Sequence, residues 1–441
     1  MRTAMKANVV HMDLNPCGGA EQVAIATIQA LVEMDIDVEL TTARIPDISR
    51  LKKAFGSERI DAFYHRIRRL NLFHRLPVES KDRDAADDEV VTINTHGDML
   101  PYYLSTFSSS NAITYCHYPL VTEFSRVHDL AYLQYLRDLG LIKMDGARAG
   151  SNNDMRSRTQ NSVSRLWQEL EESYLAMLKH STIVTNSTFS RDAILKVLSR
   201  APYGNNNIAA TRSMADPIVI PPPVNVEEFR RAALYSRERD NFIVVISRFN
   251  PSKKLENAIA LAHVLKKLKI GKKMIIVGGL MPEDRNYHDH ILRMIKSCDL
   301  SDYIALEVNA TSDILKSIMR KAKVYFHPMP GEPFGISIAE AMSAGLIPIV
   351  PDIGGHTDFV PEKYRFSSLE DAAMKISSAL NASQEEREKV SDIVSPFSFD
   401  RYIESIQGII GAILSKEQVR HKTDLDAYQK ARQDFHGTAA A

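Results

Sequence analysis

At 441 residues the chain exceeds the roughly 100–200 residues of one ordinary domain, so two large domains fit best. Hydrophobic residues make up 44% and charged residues 25%, the balance of a folded globular protein, and 55 Lys plus Arg against 55 Asp plus Glu leave no global field to draw it onto nucleic acid. Cys17, Cys116 and Cys298 are widely spaced and lack metal-ligand spacing, which excludes a disulfide framework and fits a reducing compartment. There is no apolar h-region at the N-terminus and no run of 18 apolar residues, so the expectation is a cytoplasmic protein that neither follows a signal peptide nor spans a bilayer.

In chain order, an apolar run from Ala7 to Met12 leads into Gly18-Gly19 and then a helical pattern with Ala24, Ile25, Ile28, Leu31 and Val32 on one face. Further strands are predicted at Asp37–Thr42, Glu89–Asn94, Ala112–Cys116, Ser181–Asn186 and Pro217–Pro221, separated mostly by helical patterns. Such alternation argues for a parallel sheet covered on both faces. The segment Arg66–Leu76 mixes cations with apolar residues; it reads as a helix with a solvated basic face in preference to a contact with an anionic bilayer. Pro221-Pro222-Pro223 can neither continue a helix nor donate to a sheet ladder and makes a natural linker.

Beyond it a second alternation is predicted: strand Phe242–Ser247, helix Leu255–Lys269, strand Lys273–Val277, a helix near His288–Ser297 and strand Tyr303–Val308. It continues with helix Ser312–Lys321, strand Lys323–His327, helix Ser337–Ala344 and strand Ile347–Val350, a second open α/β domain. The expected division is 1–222, 223–395, a terminal amphipathic helix over 396–415 and a polar tail over 416–441.

Chemistry concentrates in PGEPFGISIAEAMSAG, residues 330–345, where Glu332 lies in a Gly/Pro loop and Glu340 follows eight positions later on a helix. With a helix start near Ser337, the amides of Phe334, Gly335, Ile336 and Ser337 stand at its positive end, which suits phosphate or sugar oxygens. Glu340 is expected in the first turn, accepting from vicinal hydroxyls; taken alone, it reads equally well as an acid complementing the helix dipole, worth about 0.3–1 kcal/mol. A second constellation is SRFNPSKK, residues 247–254, in which Arg248 and Lys253 stand five apart where a strand ends. Two cations at the carboxyl end of a strand could flank a diphosphate.

Together SRFNPSKK, GEPFGISIAEAMSAG and PDIGGHTDFV resemble the donor domain of retaining glycosyltransferases of family 4, with Glu332 and Glu340 as the two acids of its E-x7-E motif. GGAEQVA near the N-terminus resembles that family's glycine loop. The resemblance implies a GT-B fold, two Rossmann-like open parallel-sheet domains facing a cleft, with a C-terminal helix crossing back to the first domain. It implies that Arg248 and Lys253 hold the donor diphosphate and stabilise the leaving group, that Glu340 holds the ribose and Glu332 the transferred sugar. Gly18 and Gly19 would let backbone approach phosphate and acceptor, and His117 in TYCHYP matches the family's active-site histidine. Lys254 stands where glycine commonly follows the lysine, so it could bind phosphate beside Lys253, and Asp358 stands near where many members carry a glutamate.

EPFGI with YCHYP is similar to cytosolic mannosyltransferases that extend lipid-linked oligosaccharides, which implies a GDP-mannose donor and a glycan or lipid-linked acceptor, with peripheral contact to the cytoplasmic membrane face. UDP-glucose or UDP-N-acetylglucosamine stays open as donor, as does a non-catalytic sugar-nucleotide-binding subunit. No cofactor or divalent ion is expected, since His288-Asp289-His290 reads as a solvated helix start. A dinucleotide oxidoreductase is disfavoured because no strand is followed by G-x-G-x-x-G.

Overall fold

A computed structural model describes residues 5–72, 90–97, 112–138, 142, 153–200 and 216–415. The first sheet is built from β1 (Lys6–Val10), β2 (Asp37–Thr42), β3 (Ile67–Leu72), β4 (Val90–Asn94), β5 (Ala112–Cys116), β6 (Thr182–Thr185) and β7 (Ile218–Val219). Its order is β3-β2-β1-β4-β5-β6-β7, and every pairing is parallel. The second sheet contains β8 (Phe242–Ile246), β9 (Lys273–Gly278), β10 (Ile304–Val308), β11 (Ala322–Phe326), β12 (Ile347–Pro351) and β13 (Arg365–Phe366). It is also parallel, in the order β10-β9-β8-β11-β12-β13. Central strands such as Ala112–Cys116 and Ile347–Pro351 are buried throughout, as strands covered by helices on both faces must be. In each sheet the strand order reverses direction once, between β1 and β4 and between β8 and β11, and ligands of open α/β sheets bind at such switch points.

Periodicity located most elements closely: the predicted helix Ser312–Lys321 is found with those bounds. The predicted strand Pro217–Pro221 shrinks to Ile218–Val219, because its flanking prolines have no N–H for the ladder. Glu89 lies outside the described residues, and the strand predicted from it runs Val90–Asn94.

The expectation of a helix over Arg66–Leu76 is wrong. Ile67–Leu72 is the edge strand β3, pairing with β2, and residues 73–76 lie outside the described residues. Arg66 pairs with Asp35 at 2.8 Å and Arg68 with Asp37 at 3.0 Å, so the basic residues answer acids at the neighbouring strand's start. Charge on an exposed edge also discourages strand addition by another chain.

The chain crosses between the sheets twice, and the two crossings pair. Val224 N donates to Phe397 O at 2.7 Å, and Val224 bridges to Ser398. The helix over 399–415 then packs Phe399, Tyr402, Ile403, Ile406 and Ile410 into the core of the first domain. Tyr402 OH sits 2.8 Å from Thr27 Oγ1, and Gln407 Nε2 donates to Ala30 O, both on the helix Gly19–Glu33. The tail over 416–441 lies outside the described residues.

Candidate active site

Beyond β8 the backbone stays pinned to β9: Ser247 N donates to Val277 O and Phe249 N to Gly279 O. A side chain at Gly278 would stand 1.8 Å from Ser247 O, so only glycine admits this approach. Phe249 is fully buried, which leaves the intervening Arg248 exposed, with no ion pair among the described residues. The next turn is aimed by Asn250, whose Oδ1 accepts from Ser252 N at 3.0 Å, and by Pro251 at the first helical position of the short 3-10 turn Pro251–Lys253. Lys254, exposed, closes that turn in the left-handed conformation, φ 52°, which accounts for a glycine being common there.

The turn delivers Lys253 Nζ to 2.8 Å from Glu332 Oε2, and both side chains are mostly buried, 22% and 16% exposed. Burial alone would push the Glu332 carboxyl up, but the charge of Lys253, then His327 and the Lys253 hydrogen bond, hold it below its usual value. His327, one residue past β11, brings Nε2 to 3.7 Å from the same Glu332 oxygen. Its Nδ1 is 3.0 Å from Tyr325 OH, which is 3.0 Å from Ser337 Oγ. The Glu332 loop is clamped from behind by the two glycines after β12. Gly355 N donates to Glu332 O at 2.8 Å, and a Cβ on Gly355 would stand 1.8 Å from Pro333 O.

The helix that follows runs Ile336–Ser343, with Gly335 as its N-cap at φ 98°. It starts one residue earlier than predicted, which moves Glu340 out of the first turn and into the second, so the expected first-turn placement of Glu340 is corrected. Burial, reinforced by the negative charge of Glu228, raises the Glu340 carboxyl to about 8. A neutral Glu340 contributes no dipole complement, so that alternative reading of it fails at neutral pH. Phe334 packs into the core against Phe359 and Phe397, leaving its backbone as the part that can face a ligand.

On the opposite wall, Gly18 caps the helix Gly19–Glu33, and its amide is taken by the Glu21 carboxylate. Glu21 also receives His11 Nε2 at 3.4 Å, and His11 Nδ1 contacts Thr95 Oγ1 at 3.0 Å. Burial pushes the Glu21 carboxyl up, yet the His11 hydrogen bond and charge and the Gly18 amide leave it lowered. His96 meets His11 edge to face, ring centres 5.1 Å apart. His117 donates from Nε2 to Thr95 O at 2.9 Å, and burial lowers it to about 4, so its Nδ1 is an acceptor at neutral pH.

The walls touch at several points. A Cβ on Gly19 would stand 2.5 Å from Ile336 Cδ1, which sets the starts of the two glycine-loop helices against each other. Ser187 Oγ donates to Pro333 O at 2.6 Å. Asp358 accepts from Thr188 N at 2.7 Å and from the Thr188 hydroxyl, capping the helix Thr188–Arg200 from the other domain. The structure thus brings Lys253, Glu332, Ile336 and Gly19 to one cleft, with His117 on the N-terminal wall. Sequence reasoning did not single out His11, Glu21, His96 and His327, which stand beside these groups. One signal was available for three of them: His11, His96 and His327 stand one or two residues past the strands that end at Val10, Asn94 and Phe326.

Residues 226–393 match the Glycosyl transferases group 1 family. The second domain is a group 1 glycosyl transferase domain. The chain is 29% identical over 150 residues to a GDP-Man:Man(3)GlcNAc(2)-PP-Dol alpha-1,2-mannosyltransferase of Dictyostelium discoideum, covering 32% of this chain and 30% of that one. It is 27% identical over 252 residues to the enzyme of the same name from Neurospora crassa, covering 55% and 44%. These alignments therefore span less than half of either relative's own length. In structure it is similar to sucrose-phosphate synthase from Thermosynechococcus elongatus, with TM-score 0.61 and 15% identity over 93% of this chain and 100% of that one. The two-sheet architecture is the GT-B fold.

Proposed function

We propose that this protein is a retaining glycosyltransferase that moves a hexose, mannose from GDP-mannose above all, onto a glycan or lipid-linked acceptor. The observation that carries the reading is the Lys253–Glu332 pair, set between a helix N-terminus and the glycine loop of the facing domain. In this reading residues 1–222 bind acceptor, residues 223–395 bind donor, and the helix over 399–415 ties the two together. Arg248 and Lys253 take the diphosphate, with Lys254 and the backbone of Phe334, Gly335, Ile336 and Ser337 beside it. Concentrated positive charge stabilises the departing nucleoside diphosphate, the main requirement of front-face departure and attack. Glu332 receives the hexose hydroxyls. Glu340, neutral at pH 7, can donate to as well as accept from the ribose. Gly18, Gly19 and His117 form the acceptor wall, where the neutral His117 accepts a hydroxyl proton contact through Nδ1. The reading requires no divalent ion.

The names of the similar mannosyltransferases support GDP-mannose and a lipid-linked acceptor. Such an acceptor would be met at the cytoplasmic membrane face, which we read as a peripheral contact; no helix among the described residues is long and apolar enough to cross a membrane. A hydrolysis and transfer panel with GDP-mannose, UDP-glucose and UDP-N-acetylglucosamine tests the donor. Turnover of GDP-mannose supports the reading, turnover of a UDP-sugar alone replaces the donor, and binding without turnover replaces catalysis by a sugar-nucleotide-binding role. Flotation with liposomes containing anionic lipid tests the membrane contact, which fails if no protein co-migrates.

A further inference from the structure

Lys253 has two competing duties. Its ammonium is bonded to the Glu332 carboxylate at 2.8 Å, yet the proposed donor site needs that same cation on a diphosphate. When the diphosphate takes Lys253, Glu332 is left buried with a charge and no strong partner, and an unpaired buried carboxylate is costly. The ring of His327 is placed to answer this. Its Nε2 lies 3.7 Å from Glu332 Oε2, beyond hydrogen-bond distance, and this buried nitrogen makes no hydrogen bond to any described residue.

The tautomer follows from what faces the two sides of the ring together. Tyr325 and His327 alternate along β11 and its extension and so share a face, which lets Tyr325 OH reach His327 Nδ1 at 3.0 Å. The hydroxyls of Ser337 and Tyr325 can each donate or accept, so Tyr325 can donate to Nδ1, and the Glu332 carboxylate oxygen facing Nε2 at 3.7 Å favours that tautomer, with the imidazole proton on Nε2. Burial also keeps His327 neutral by lowering it to about 3. A sub-ångström shift of the Glu332 carboxylate, on leaving Lys253, closes the gap.

We propose that His327 is a positioning residue of the donor site: it takes over the Glu332 carboxylate by an Nε2–H hydrogen bond when donor diphosphate claims Lys253. Glu332 then stays ionised and oriented toward the hexose throughout. The groups facing Glu332 are Lys253 from the turn after β8, His327 from the end of β11 and His356 from the turn after β12, whose Nε2 is engaged by Pro351 O at 2.7 Å. His327 alone among them combines a free N–H with a direct line to the carboxylate.

The inference rests on the donor-site reading above, and calorimetric titration of GDP into the full chain separates the two. In buffers of different ionisation enthalpy, the wild type should bind GDP with little proton uptake. His327→Phe, which keeps the ring's bulk and loses its donor, should bind about tenfold or more weakly at pH 8. That variant should take up a proton on binding, as Glu332 protonates instead, and should regain affinity as pH falls toward 6. His327→Gln, which restores an N–H near the Nε2 position, should recover most of the affinity and abolish the uptake. A second arm in the Glu332→Gln background guards against a folding defect: there His327→Phe should change neither affinity nor proton uptake. GDP binding by His327→Phe with wild-type affinity and no added proton uptake overturns the exchange while leaving the donor site standing. Failure of the wild type to bind GDP or UDP overturns the donor-site reading and the exchange with it.

Discussion

Gly19 and Ile336 meet across the cleft so closely that a single added carbon on Gly19 would lie 2.5 Å from Ile336 Cδ1. The contact joins the first residues of two helices from different domains, so the size of either side chain sets how near the domains approach. Gly19→Val should therefore hold the cleft open. Because the residue it meets is the flexible end of Ile336, the stability cost should be about 1 kcal/mol or less, while kcat/KM falls about tenfold or more through misplacement of the reacting groups. Adding Ile336→Ala should restore much of the loss. Steady-state kinetics and thermal melts of the single and double variants check both statements.

Glu332→Gln should remove most turnover. The carboxylate also neutralises the mostly buried Lys253, so the substitution is not silent for the fold: a loss on the order of 1–3 kcal/mol is expected from the charge-assisted bond. Urea unfolding of the variant measures it. Unchanged turnover would remove Glu332 from the site.

Glu340 makes stability depend on pH in an unusual direction for an acid. Its folded carboxyl is raised to about 8 from an ordinary value of 4.5, so between those values the folded state holds a proton that the unfolded chain releases. Stability from this group is full below about pH 4.5 and is lost as pH rises through 8. Glu340→Gln, which mimics the protonated acid, should erase this slope and leave the variant more stable than wild type at pH 9, by up to about 5 kcal/mol. Unfolding curves at pH 6 and pH 9 give the comparison.

Asp358 caps a helix in the other domain through Thr188 N at 2.7 Å. Asp358→Ala should cost about 1 kcal/mol, the usual worth of a cap, and should speed hydrogen exchange at the Thr188 amide. Exchange there at the wild-type rate would show that the two domains are held together without this contact.

Arg248 is exposed and unpaired among the described residues, so its replacement should be nearly neutral for stability. Arg248→Ala should lower kcat more than it raises KM if its charge acts on the leaving group. A rise in KM alone would place Arg248 in uniform donor binding.

The sequence by itself determined a great deal here. Alternating apolar runs and helical patterns located eleven of the thirteen described strands to within a residue or two, the edge strands β3 and β13 being the exceptions, because parallel strands buried on both faces must be written as short continuous apolar segments. Arg248 with Lys253, and Glu332 with Glu340, stood out for a related reason: each pair lies close along the chain, the first at a strand end and the second around a helix start. Local periodicity failed on Arg66–Leu76, where cations looked like a helix face until β2 supplied Asp35 and Asp37 as partners. What only the tertiary structure decided involves residues brought together from distant parts of the chain. Lys253 bonds Glu332 across 79 positions, Asp358 reaches Thr188 across 170, and His11 finds Thr95 across 84. Such pairings, and the burial that moves Glu340 to about 8 and His117 to about 4, arise from where the sheets place their carboxyl ends. No local pattern encodes a desolvated partner from another strand, since its effect exists only once water has been excluded from both.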